Sequence, residues 1–147
     1  MNKKNLTIKE IFVSAFQNHQ KNNLKVAEKL YNSILKINPN HLESISYLGA
    51  LLIQTNNFDR AKKLLQKAIK IQPSNVVAHN NLGIVLQKLG EPQKAINHFQ
   101  KSIQINPDYA NGHYNLGTTF KKLNDSQKAM RHFQKAIQIN PDYAAAH

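Results

Sequence analysis

The chain has 147 residues, 41% of them hydrophobic, with 20 Lys and Arg against 8 Asp and Glu, a formal net charge of +12, and neither cysteine nor tryptophan. The lack of cysteine excludes a disulfide framework, and no apolar run approaches the roughly 20 residues that a membrane span requires. So few acids, no thiol, no Gly-rich phosphate loop and no recognisable nucleophile setting leave little from which to build a catalytic site, so the chain is expected to be noncatalytic, with no cofactor and no metal.

The N-terminus, MNKKNLTIKEIFVSAF, starts positively charged, but Lys9 and Glu10 interrupt any apolar stretch and no small-residue cleavage site follows. Residues 1–7 therefore read as the tail of a cytoplasmic protein. From Ile8 onward the sequence repeats every 34 residues, in units beginning at Ile8, Leu42, Val76 and Ala110. Pro39, Pro73, Pro107 and Pro141 close the phrases, most visibly in INPDYANGH (105–113) and INPDYAAAH (139–147). A unit of this length cannot bury its own apolar face and must stack on its neighbours.

Each unit predicts two helices. The first carries Ala15, Gly49, Gly83 or Gly117 at its eighth position, preceded by Leu48, Leu82 or Leu116 in the last three units. The second carries Ala27, Ala61, Ala95 or Ala129 at position twenty, then Tyr31, Leu65, Phe99 or Phe133, then Leu35, Ile69, Ile103 or Ile137. Spacings of three, four and seven mark one face of a helix, and small residues on both segments predict closely approaching backbones. Asn22, Asn56, Gly90 and Asn124 fall between the two stripes and tolerate the left-handed backbone found beyond helix ends. Pro92 suits the first turn of the second helix in the third unit, the later prolines end that helix, and Asp108, Asp125 and Asp142 are expected caps.

This combination resembles the tetratricopeptide repeat family, whose pattern is carried by Leu82, Gly83, Ala95, Phe99, Pro107 and their equivalents over about residues 8 to 147. The resemblance implies an all-α fold, a right-handed superhelical solenoid of stacked antiparallel helix hairpins. Its repeats would span 8–41, 42–75, 76–109 and 110–143, the first degenerate with Ser14 and Ala15 in place of Leu and Gly, and residues 144–147 would start a fifth. The phrases AHNNLG (78–83) and GHYNLG (112–117) look most like repeats preceding protein O-linked N-acetylglucosamine transferases and those of several bacterial modifying enzymes. The chain reads as a fragment of a longer protein, and the apolar flank of its fourth repeat is expected to be exposed and to offer a surface for self-association.

In this family the first helix of every hairpin lines a concave groove. Carried onto this sequence, the groove passes from apolar Phe12, Val13 and Phe16, with His19, to Tyr47, and then to Asn80, Asn81, Ile84 and Lys88. It continues through Tyr114, Asn115, Thr118, Lys121 and Lys122. A side-chain amide can both donate to and accept from a peptide backbone, so Asn81 and Asn115 are expected to hold an extended partner segment, with Tyr47 and Tyr114 supplying flanking contact area. The lysines favour an acidic partner. A carboxylate clamp is not expected, because Glu43, Val77 and Asn111, with no cation, occupy the second position of the last three repeats.

A competing reading rests on the second helices, where Arg60, Lys63, Lys67, Lys94, Lys101, Lys128, Arg131 and Lys135 form a single-signed stripe suited to nucleic acid or another polyanion. A third makes the chain the substrate-presenting region of a larger glycosyltransferase-like or other modifying enzyme. His79, His113 and His147 recur every 34 residues, as do His98 and His132. Equivalent positions in adjacent hairpins lie about 10 Å apart, too far to share a zinc ion, so a packing role is expected.

Overall fold

Each 34-residue phrase folds as two helices because its apolar residues recur at helical spacing and its helix breakers fall between the stripes. In the computed structural model, which describes residues 6–145, these are α1 (Ile8–Gln20), α2 (Leu24–Ile37), α3 (Leu42–Gln54), α4 (Phe58–Ile71), α5 (Val76–Lys88), α6 (Pro92–Ile105), α7 (Ala110–Lys122) and α8 (Ser126–Ile139). A short α9 (Asp142–Ala145) follows, and no strand occurs among the described residues. The helices form two compact units, one ending at Ile71 and one starting at Gln72. In the first, α1 packs on α2, α3 on α4, and α2 on α3; in the second, α5 on α6, α7 on α8, and α6 on α7.

The turn inside every hairpin has one construction. Asn22, Asn56, Gly90 and Asn124 adopt φ of 64°, 61°, 79° and 63°. The next residue's N–H then reaches back five positions, as in Asn23 to Asn18 O at 2.8 Å and Asn57 to Leu52 O at 2.7 Å. Orphan carbonyls at the helix end are thereby satisfied, and the chain reverses within three residues. Pro92 begins α6, and Asn38, Asn106 and Asn140, each preceding a proline, take extended backbone and stop α2, α6 and α8.

Two expectations need correction. Only Asp125 among the three aspartates caps a helix, accepting the Lys128 N–H at 3.1 Å. Asp108 lies before the Tyr109 N-cap of α7, which makes no side-chain cap bond, and Asp142 lies inside α9. Their own N–H groups bond to Asn106 Oδ1 and Asn140 Oδ1, each at 3.1 Å, so asparagine two residues earlier organises that turn. The small residues at the eighth position also do something other than admit a neighbouring backbone. A Cβ on Gly83 would lie 2.4 Å from Phe99 Cε1, and one on Gly117 would lie 2.7 Å from the Phe133 ring. The space is taken by the large residue of the same hairpin.

The first unit's core is built on Tyr31, Ile34, Ile45, Leu48, Leu51, Leu52 and Leu65, and the second's on Leu82, Val85, Phe99 and Leu116, all fully or almost fully buried. Phe133, Leu35, Ile69 and Ile103 are only half-buried, and Ile137 is exposed.

Candidate functional site

In the second unit, α5 and α7 carry most of the residues that the family resemblance assigns to a groove. Asn80 is 3% exposed, and its Oδ1 accepts a hydrogen bond of 2.9 Å from Asn115 Nδ2. Asn80 is thus a buried strut that fixes the orientation of Asn115, whose own carbonyl oxygen has further acceptor capacity. A second link, Gln87 Nε2 to Thr119 Oγ1 at 3.3 Å, ties the two helices again, about one turn further along α7 and two along α5. Thr118 turns its hydroxyl onto the Tyr114 carbonyl at 3.1 Å. Asn81 and Ile84 are half-buried, and the Asn81 side chain makes no hydrogen bond within the described residues.

Lys88, Lys121 and Lys122 stand in the last turns of α5 and α7, where the negative end of the helix dipole favours cations. All three are exposed, and none has a carboxylate within ion-pair distance among the described residues. Lys121 also borders a cavity of about 280 Å³, lined by Tyr114, Phe133, Ala136, Ile137 and Tyr143. Tyr143 stacks on Tyr114 with centroids 5.4 Å apart, which couples the start of α9 to α7.

The first unit presents different chemistry. Tyr47, 39% exposed, meets the edges of Phe12 and Phe16 at centroid distances of 5.7 and 5.2 Å. It lies nearly parallel to the buried Tyr31 at 6.4 Å. Burial, and secondarily Tyr47, pushes the Tyr31 hydroxyl up to about 12. His19 Nδ1 is 3.3 Å from that hydroxyl. The sequence names Phe12, Phe16, His19 and Tyr47 as groove residues, but not their assembly over Tyr31, because Tyr31 comes from the second helix of its hairpin and reads as core. The Asn80–Asn115 link escaped for a similar reason: the two occupy different repeat positions.

On the second helices, part of the cationic stripe is neutralised. Arg60 pairs with Glu28 at 2.8 Å, Lys94 with Glu91, and Lys128 with Asp125 at 3.7 Å. Lys128 also stands 5.3 Å from the centroid of the Phe120 ring. Among the described residues no group of three or more His, Cys, Asp or Glu side chains is placed to hold a metal ion, and no helix is long and apolar enough to cross a membrane.

Residues 17–102 match the family described as "Anaphase-promoting complex, cyclosome, subunit 3", and residues 75–142 match that described as "Tetratricopeptide repeat". The chain is similar to the solved structure described as "Crystal structure of MamA protein", with 25% identity and a TM-score of 0.80 over 91% of this chain and 73% of that one. It is also similar in fold to "MamA 41-end from Desulfovibrio magneticus RS-1", with 20% identity and a TM-score of 0.84 over 92% of this chain and 77% of that one. No curated protein sequence matches the chain.

Proposed function

This chain belongs to the tetratricopeptide repeat family, and from that premise we propose that it is a noncatalytic interaction scaffold that holds an extended, acidic segment of a partner protein against α5 and α7. The observation that carries the reading is the composition of that face: amides next to lysines, with no carboxylate among its groove positions. An extended segment arrives with an unpaired row of backbone N–H and C=O groups. Asn81, unengaged within the described residues, can donate to one such carbonyl and accept from one such N–H, while Asn115 is held in a fixed rotamer by Asn80. Pre-ordering of that kind reduces the conformational entropy lost on binding. Lys88, Lys121 and Lys122 add charge-assisted contacts to Asp or Glu side chains and speed encounter with an acidic ligand.

The test is direct binding of the full chain to an array of acidic and neutral extended peptides. The wild type is compared with Asn81→Ala/Asn115→Ala and with Lys88→Gln/Lys121→Gln/Lys122→Gln. Selection of acidic peptides, weakened in both variants, is the expected result; equal binding by all three proteins removes the reading. The polyanion alternative is favoured by Lys63, Lys67, Lys101, Arg131 and Lys135, none of which has a carboxylate partner among the described residues. A duplex oligonucleotide bound equally by the wild type and both groove variants, and released by modest salt, would place activity there.

A further inference from the structure

Two histidine pairs bridge the helices of the second unit. His79 of α5 faces His98 of α6 with Nδ1 atoms 3.2 Å apart, and His113 of α7 faces His132 of α8 at 3.4 Å. The ring centroids are 5.4 and 5.6 Å apart, close to those separations plus two ring radii, so the nitrogens meet nearly head-on. Nε2 of His79 lies 2.8 Å from the Pro73 carbonyl, and Nε2 of His113 lies 3.0 Å from the Pro107 carbonyl. A carbonyl only accepts, so Nε2 carries the hydrogen in both residues. Their Nδ1 atoms are then acceptors in the neutral pair, and Nδ1–H of His98 and His132 donates.

We propose that these pairs are proton-operated latches, which hold α5 and α7 to α6 and α8 at neutral pH and let go on acidification. A first added proton enters Nε2 of His98 or His132; the bridging hydrogen bond survives, but a half-buried ring becomes charged. The second has only Nδ1 of His79 or His113 to enter, which sets two N–H donors against each other, so the rings must part. His79 and His113 are 6% and 8% exposed, so little water is at hand to take over those donors. The latch acts on the proposed binding helices, because His79 precedes Asn80 and His113 precedes Tyr114. It does not depend on what those helices bind.

The surroundings oppose added charge. Burial, and then the facing imidazole, holds His98 and His132 below the ordinary histidine range, with Arg131 contributing at His132. Lys94 and Lys101 stand one turn either side of His98 on α6, as do Lys128 and Lys135 around His132 on α8. Of the nearby carboxylates, Glu91 and Asp125 are engaged by Lys94 and Lys128, and Asp108 is exposed in the connection before α7. Lys88, Lys121 and Lys122 end α5 and α7, the Phe120 ring lies 5.7 Å from His132, and α7 brings Tyr114. A histidine held neutral in the folded state leaves the unfolded chain binding more protons, so the stability is complete above the ordinary histidine range and is lost as pH falls through and below it.

The equivalent positions in the first unit are Ile11 with Leu30 and Ile45 with Leu64. They supply an apolar replacement that the fold already uses. Hydrogen exchange of the full chain, corrected for intrinsic rates, would compare the wild type with H79I/H98L/H113I/H132L between about pH 7.5 and about pH 5, the range in which histidine titrates. Wild-type protection of α5 and α7 should fall about tenfold for each pKa unit by which a histidine is held down, and the fourfold variant, retaining His19 and His41, should keep it. Should that variant fail to fold by circular dichroism, the two single-pair variants replace it, each abolishing the acid response only in its own hairpin. A wild type without acid loss, or variants that lose protection as the wild type does, overturns the proposal.

Discussion

Gly83 shows how one missing atom fixes a hairpin. A Cβ there would stand 2.4 Å from a ring carbon of Phe99, which is fully buried and has no room to retreat, whereas at Gly49 the nearest atom is Leu65 Cδ2 at 3.2 Å. Overpacking of a filled core costs about 1–3 kcal/mol, while alanine recovers about 0.5–1 kcal/mol of helix propensity. Gly83→Ala is therefore expected to lower the urea midpoint clearly. Gly49→Ala should leave it nearly unchanged, because a leucine methyl can move a few tenths of an ångström. Equal midpoint shifts for the two variants would show that the ring contact does not govern the first-helix position.

At the scale of the element, α1 is fastened by a capping box: Thr7 Oγ1 accepts the Glu10 N–H at 3.2 Å, and Glu10 Oε2 accepts the Thr7 N–H at 3.3 Å. Thr7→Ala should cost about 1 kcal/mol, read as a lower denaturation midpoint with fraying confined to the first turn of α1. The Thr-x-x-Glu spacing that signals this box stands in the sequence, although the charge of Lys9 and Glu10 draws the eye first as an interruption of an apolar stretch. Helices and hairpin turns were legible because two independent signals agreed, an apolar period of three to four and a left-handed-tolerant residue between stripes. Propensity alone names Asp108 and Asp142 as caps, while the geometry around each proline gives the work to Asn106 and Asn140. Within the candidate site, the repeat register supplies an expected membership of the face, but says nothing of the hydrogen bonds inside it. Nothing in the spacing says that Asn80 is spent on Asn115, or that paired histidines at positions four and twenty-three replace isoleucine and leucine.

For the molecule as a whole, 20 basic residues against 8 acidic ones mean that most cations have no opposite charge to neutralise them. Folding then concentrates like charge, and the self-repulsion weakens as the screening length shortens from about 10 Å at 0.1 M salt toward about 3 Å at 1 M. Added sodium chloride should raise the thermal midpoint over the first few tenths molar, as measured by circular dichroism; a midpoint that falls monotonically would mean the few ion pairs outweigh the repulsion. The same field discourages contact between copies.

The burial of Tyr31 beneath Tyr47 carries one more consequence. Tryptophan is absent, so the near-ultraviolet absorption and emission of this protein belong chiefly to its five tyrosines. Tyr31 and Tyr47 lie in the unit ending at Ile71, and Tyr109, Tyr114 and Tyr143 in the unit starting at Gln72. Because the Tyr31 hydroxyl ionises only near 12, in alkali it keeps its phenol spectrum after an ordinary tyrosine has become phenolate. Burial, and then Tyr109 and Tyr114, also hold Tyr143 above the ordinary tyrosine range, so each unit keeps a late-titrating phenol that reports on it in alkali without any dye or substitution.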